Sequence, residues 1–184
     1  MQTIDILKDI GKRCDGDIYL GVVGPVRVGK SSFIKRFMEK AVIPYIDDAD
    51  AKIRATDELP QSGEGKMIMT VEPKFVPNQA AHIFVEDNLG VNIRLVDCVG
   101  YVIDGAKGYQ DEQGIRYVKT PWYLEAIPFD EAAKIGTQKV IQDHSTIGIV
   151  MTCDGSICEI PSQDYVQATD DVIQELKDIG KPFV

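Results

Sequence analysis

Basic residues are scarce. Lys and Arg total 20 against 29 Asp and Glu, a formal net charge of -9 over 184 residues, whereas non-specific grip on DNA, RNA or anionic lipid is carried by clustered Lys and Arg that neutralise phosphates. No nucleic-acid partner is expected, and any phosphate site must be local. Cysteine is scarce too. Cys14, Cys98, Cys153 and Cys158 are too few and too scattered for a disulfide scaffold, and none forms the CxxC pair of a structural zinc site, so they read as reduced thiols. No stretch of about 18 apolar residues occurs, and the N-terminus MQTIDILKDIGKR carries charges where a signal peptide needs an uninterrupted apolar run. A cytoplasmic chain is the expectation. What remains, 44% hydrophobic and 27% charged, is the composition of one ordinary globular domain with a sizeable core.

Thr3 can cap a short helix with Ile4, Leu7 and Ile10 on its apolar face, so residues 1–17 read as a helix and lead-in and 18–184 as the domain proper. The run IYLGVV, residues 18–23, is almost continuously apolar, which is how a central strand covered on both faces reads. From Ser31 onward, Phe33, Ile34, Phe37, Met38 and Val42 recur at helical spacing. Residues 44–66 are broken by Pro44, Pro60, Gly63 and Gly65, which predicts a mobile loop with one short helix. Two strand patterns, 82–87 and 91–97, flank a turn with Asn88 and Gly90 and predict an antiparallel hairpin. An irregular segment is expected over 100–128. A helix over 130–143 with the small face Ala132, Ala133, Gly136 and Val140 follows, then a strand over 146–152. Ser162 starts an amphipathic helix with Tyr165, Val166, Thr169, Val172, Ile173 and Leu176 on one stripe, and Gly180 with Pro182 stops it. Strands alternating with helices give an α/β class. The closing KPFV reads as the opening of another buried strand, as in a fragment of a longer protein.

Chemistry enters at the end of the first strand. Gly24-Pro25-Val26-Arg27-Val28-Gly29-Lys30-Ser31 fits GxxxxGK[ST] between a buried strand and a helix, the context that gives this pattern its meaning. A loop that wraps a triphosphate with its backbone N–H groups needs Gly24 and Gly29 where a Cβ would collide or φ turns positive. Lys30 supplies charge to the β and γ oxygens, Ser31 offers a hydroxyl to Mg²⁺, and Ser32 lies in the helix end that faces the anion. Asp97-Cys98-Val99-Gly100 closes the second hairpin strand. Asp-x-x-Gly there is what a GTPase-like P-loop NTPase uses to reach Mg²⁺ and sense the γ-phosphate. Thr70 lies where such proteins place a Mg²⁺-ligating threonine on a switch loop. The fold class expected is thus that of the GTPase-like (TRAFAC) P-loop NTPases, a mostly parallel sheet with one antiparallel hairpin strand and helices on both faces. Candidate catalytic residues are Lys30, Thr70, Asp97 and Gly100; candidate metal ligands are Ser31, Thr70 and Asp97; the nucleotide loop is 24–32.

With these residues in place the chain resembles the stage IV sporulation protein A family of spore-forming bacteria. The likeness rests on GDIYLGVVGPVRVGKSSFIKRFME, DELPQS, EPKFVPNQA, VNIRLVDCVGY, GAKGY, TPWY, IPFDEAA, IGTQKVIQDHSTIG and ELKDIGKPF, and corresponds to that family's N-terminal nucleotide-binding part. The resemblance implies an ATPase, with ATP and Mg²⁺ as ligands, that uses hydrolysis to polymerise into the basement layer of the spore coat. It also implies a place at the forespore outer membrane on the mother-cell side. Self-association would be joined, through later parts of the full-length protein, by a small amphipathic membrane-anchor protein and other spore coat proteins. Lys30 would be the Walker A lysine, Asp97 the Walker B-type acid and Thr70 a threonine needed for hydrolysis. Where the family pattern leads one to expect two consecutive threonines, Thr70-Val71 stands here.

Three functions compete. An assembly NTPase is favoured by Thr70 with Asp97. A nucleotide-binding scaffold without hydrolysis is favoured by Tyr101, which stands where many GTPases carry the Gln that orients the attacking water. A small-molecule or nucleotide kinase would need an acceptor pocket and, as a rule, an Arg-rich lid, and residues 100–128 hold only Arg116. ATP and GTP are not distinguished by the residues themselves. Arg27, inside the loop, is either a charge stabiliser for the transferred phosphoryl or simply solvated. Asp143-His144-Ser145 lacks a GxSxG elbow and reads as a helix end. Asp47, Asp48 and Asp50 lack the Gly and Glu of a calcium loop and read as a solvated face. Trp122 and Tyr123 read either as an exposed contact surface or as the anchor of a long loop.

Overall fold

The computed structural model describes residues 16–61, 71–84, 90–106, 108–112, 114–156 and 160–184. The N-terminal helix, the turn at Asn88, Cys14, Cys158 and Thr70 lie outside the described residues. Strand β1 (Asp17–Val23) takes its central place because its apolar run can be buried from both sides. It pairs in parallel with β3 (Gly90–Asp97) and with β8 (Ile147–Val150). Strand β2 (Lys74–Phe84) is antiparallel to β3, giving the order β2-β3-β1-β8. The hairpin arm is longer than its sequence pattern predicts. It starts at Lys74, because Phe75 and Val76 pair with Val96 and Leu95 before a register shift between Val76 and Ala81 absorbs Pro77.

Helices cover both faces, as expected. On one, α1 (Lys30–Phe37) runs on as a π-helical turn to Val42, and Ile34, Met38 and Val42 pack with Val22, Leu95 and Ile93. The 44–66 region contributes a helix there, α2 (Ala49–Asp57), capped by Asp48, whose carboxylate accepts from the Ala51 N–H at 2.6 Å. Asp47, just before it, and Asp50, in its first turn, are exposed. On the other face lie α3 (Phe129–Lys139), continued as a π-helical turn to His144, and α4 (Ser162–Asp178). Tyr165, Ala168, Val172 and Leu176 form the buried stripe of α4, so the apolar face is rotated from the one expected and Val166 points outward. Ser145, at the end of the π-helical turn, donates to the Val140 carbonyl and accepts from Lys181, a structural role. Phe183 adds a parallel bridge to Gly148 at the β8 edge, as the KPFV pattern suggested.

The segment 100–128 corrects an expectation. Its second half is not irregular: β4 (Gln110–Asp111) pairs with β5 (Gly114–Ile115), and β6 (Tyr117–Thr120) with β7 (Tyr123–Pro128). These strands are short and mostly solvent-facing, so they carry no apolar alternation from which to recognise them. Among the described residues no helix is long and apolar enough to cross a membrane.

Candidate functional site

Three strands deliver their C-terminal ends to one place, and the 24–31 loop fills the space above them. Gly24 sits at φ 142 with the Met151 carbonyl oxygen lying where its Cβ would be, so only glycine allows β1 to turn this close to the end of β8. Val26 and Val28 point down into the core beneath α4 and hold the loop to the sheet. Gly29, at φ 87, starts α1 from a left-handed conformation. The first helical bond of α1 is from the Phe33 N–H to the Gly29 carbonyl. The N–H groups of Lys30, Ser31 and Ser32 thus precede it and have no partner inside the helix, a ready cradle for an anion. Arg27, partly exposed, takes φ 61, the sole non-glycine residue at positive φ among the described residues.

Lys30 is 5% exposed, and its ammonium donates to the carbonyls of Pro25 at 2.5 Å and Gly24 at 3.4 Å. Burial holds its pKa below the ordinary lysine value, and the neighbouring Cys98 and Asp97 only partly offset this. Ser31 Oγ donates to Asp97 Oδ2 at 2.6 Å, joining positions 66 residues apart. The other carboxylate oxygen, Asp97 Oδ1, is buried without a hydrogen-bond partner. Burial raises the Asp97 pKa, outweighing the Ser31 hydrogen bond and the Lys30 charge. A hydroxyl and a half-satisfied buried carboxylate side by side fit a hard divalent cation, which would relieve both the orphaned oxygen and the desolvation.

Gly100, at φ 95, lies so close that its Cβ would meet the Gly24 oxygen and the Lys30 ammonium. The Asp97–Gly100 corner is stitched to the loop by the Tyr101 N–H to the Gly24 carbonyl (3.2 Å) and the Val26 N–H to the Tyr101 carbonyl (2.8 Å). Gly24, Pro25, Lys30, Ser31, Asp97 and Gly100 are thus brought together in one constellation, while the side chains of Val26 and Val28 serve the core and Ser32 is exposed in the first turn of α1. Cys98 points away, donating to the Val22 carbonyl, and burial pushes its thiol up to about 11.

Thr70 lies outside the described residues, but its neighbour does not. Val71 is 3% exposed and packs with Phe129, Ala132 and Ala133, and its carbonyl occupies the position of a Cβ on Gly136. An apolar pocket accounts for valine where a second threonine was expected, since a hydroxyl here would need a partner that these side chains lack. Trp122 also approaches Gly136. It anchors the β6–β7 hairpin on α3, whereas Tyr123 and Leu124 are exposed.

The feature that sequence reasoning missed is the direction of Tyr101. Its ring is 8% exposed, and its hydroxyl donates to Glu175 Oε1 on α4 at 2.6 Å. Burial, reinforced by Glu175, lifts the phenol well above its usual range and keeps it a donor. Nothing local in the sequence points to Glu175.

The family model described as "Stage IV sporulation protein A, ATPase domain" matches residues 1–184. The chain belongs to this family. It is 63% identical over 184 residues to stage IV sporulation protein A of Bacillus anthracis, covering 100% of this chain and 37% of that one. The figures are the same for the protein of Bacillus subtilis (strain 168). For Clostridioides difficile (strain 630) the identity is 56% over 179 residues, 97% of this chain and 36% of the relative. The chain thus spans little more than a third of the length of these curated relatives. Its family is that of a sporulation ATPase domain, and the α/β sheet described above accords with one.

Proposed function

We propose that the chain is the Mg²⁺-dependent ATPase module of a protein that uses ATP hydrolysis to drive its own assembly into the basement layer of the bacterial spore coat. The observation that carries the reading is the convergence of Lys30, Ser31, Asp97 and Gly100 on one loop at the C-terminal edge of the sheet. In this reading the 24–31 loop is a P-loop with Lys30 as its Walker A lysine. The strand order β2-β3-β1-β8 with β2 antiparallel supports the GTPase-like (TRAFAC) class, and in this reading 18–184 is one domain after the 1–17 lead-in. The preference for ATP is supported by the family's description alone.

The residues divide the work. The loop N–H groups and Lys30 bind and orient the phosphates. Ser31 and Asp97, with Thr70, would hold Mg²⁺, which when bound neutralises charge on the β and γ oxygens. The Gly100 N–H senses the γ-phosphate. The protein would act on the mother-cell side of the forespore outer membrane, its partners being further copies, a small amphipathic membrane-anchor protein and other coat proteins.

The deciding experiment is phosphate release from ATP and, separately, from GTP with Mg²⁺ by the full-length chain. Release from ATP alone that depends on Lys30 supports the assembly ATPase. Tight binding with no release supports the scaffold reading, which one observation favours: Tyr101 turns to α4, so no side chain at that position orients a water. Asp97→Ala is expected to lower kcat by about a hundredfold while weakening ATP binding by less than about tenfold, because the carboxylate acts through the metal rather than on the phosphates. Isothermal titration beside a phosphate-release assay separates the two, and equal losses in both would remove the metal role.

Arg27 supplies charge to the transferred phosphoryl in this proposal. Its left-handed backbone is a strain of the kind that sites retain for a purpose. Arg27→Gly is expected to raise the apo unfolding free energy by about 1 kcal/mol and to lower kcat by about tenfold or more. Unchanged kcat, with the chain stabilised, would leave Arg27 no part in the chemistry.

A further inference from the structure

Tyr101 makes two connections at once. Its main chain is laced to the 24–31 loop through Gly24 and Val26, and its side chain crosses the core to Glu175 on α4. Glu175 Oε1 also accepts from Gln138 Nε2 on α3 at 3.1 Å. One carboxylate oxygen therefore joins the corner after Gly100 to both helices on this face of the sheet. The partner oxygen, Glu175 Oε2, is buried without a hydrogen-bond partner. The bond is short and partly buried, and truncating one side leaves the other unsatisfied. The sheet does not require this bond to form. β1, β3 and β8 are paired independently of it, so its consequence falls on where the corner sits.

We propose that Tyr101 is a positioning residue: through Glu175 and Gln138 it fixes the Asp97–Gly100 corner against the 24–31 loop, and so couples the nucleotide site to the face formed by α3 and α4. The coupling rests on the ATPase reading above. It assigns Tyr101 no contact with the reacting atoms. Its hydroxyl sets the corner's position through the main chain, which is why a phenol can stand where other enzymes carry glutamine.

The test is steady-state ATP hydrolysis by the full-length chain with Tyr101→Phe, Glu175→Ala, Glu175→Gln and the double variant Tyr101→Phe/Glu175→Ala. Tyr101→Phe is expected to lower kcat about tenfold and to leave KM for ATP within about twofold, since the loop that binds nucleotide is intact and only the corner is loosened. Glu175→Ala should match it, and the double variant should lose no more than either single one. Glu175→Gln keeps a side-chain oxygen to accept from Tyr101 and should retain kcat within about threefold. Parental kcat in Tyr101→Phe, or losses that multiply in the double variant, would overturn the coupling. If Glu175→Ala fails to fold, Tyr101→Phe and Glu175→Gln still decide it. Lys30→Ala distinguishes the two levels. Hydrolysis that persists without Lys30 defeats the site reading itself, whereas hydrolysis that needs Lys30 but ignores Tyr101 defeats only the coupling.

Discussion

Lys30→Ala is expected to lower ATP affinity by at least about a hundredfold and phosphate release by at least about a thousandfold, because in the proposed site the amine is a preorganised positive charge facing the phosphates from inside a water-poor loop. Its surroundings explain why the loss should be functional rather than structural. At 5% exposure, with donation to two loop carbonyls, the ammonium is held where its desolvation is largely uncompensated. That is why its pKa lies below the ordinary value. Alanine removes this cost along with two hydrogen bonds, and the Gly24 carbonyl keeps the Tyr101 N–H. Apo stability should therefore change by only about 1 kcal/mol. The pH dependence has a definite sign. A folded-state pKa below the unfolded value means that the unfolded chain binds more protons, so the parent gains stability relative to the variant as pH rises through the folded value toward 10.5. Urea midpoints of parent and variant between pH 7 and 10 would show it. A variant that unfolds far more easily than the parent at pH 7 would make Lys30 a structural residue instead.

The 24–31 loop was readable in the sequence because its determinants are local: glycines at two fixed spacings, a lysine and a serine, an apolar strand before and a helical repeat after. Asp97 was readable by the same logic at the end of its own strand, although its hydrogen bond to Ser31 closes over 66 residues. What escaped depends on distant partners or on weak patterns. The 110–128 hairpins are invisible to an apolar-alternation test because side chains such as Tyr117, Tyr123 and Leu124 face solvent. The rotation of α4 that buries Ala168 and exposes Val166 is decided by what the sheet offers, not by hydrophobicity along the helix. Tyr101 looked like a defective water-positioning residue only because its sequence position was compared with that of a glutamine. Its ring is directed by a glutamate 74 residues away.

The second large effect is expected at Gly100, and it separates crowding from strain. Gly100 and Gly29 both have positive φ, 95 and 87, so alanine at either carries the left-handed penalty of about 1 kcal/mol. Only one of them is crowded. A Cβ on Gly29 meets nothing within 4 Å, whereas on Gly100 it meets the Gly24 oxygen, the Lys30 ammonium and the Pro25 carbonyl carbon. Two of these are backbone atoms of the loop itself, and the Gly24 oxygen is fixed by the Tyr101 N–H, so the corner and the loop must part. Gly100→Ala is therefore expected to cost about 2–4 kcal/mol of stability and to abolish measurable ATP binding. Gly29→Ala should cost about 1 kcal/mol and weaken binding by about tenfold or less. Urea unfolding and nucleotide titration on the pair would check both numbers. Equal losses would mean that the close approach of corner to loop contributes nothing beyond backbone conformation, and would take with it the γ-phosphate role assigned to the Gly100 N–H. The expected inequality would instead locate the sensitivity of the site in the contact between two chain segments that meet only when β1 and β3 lie side by side.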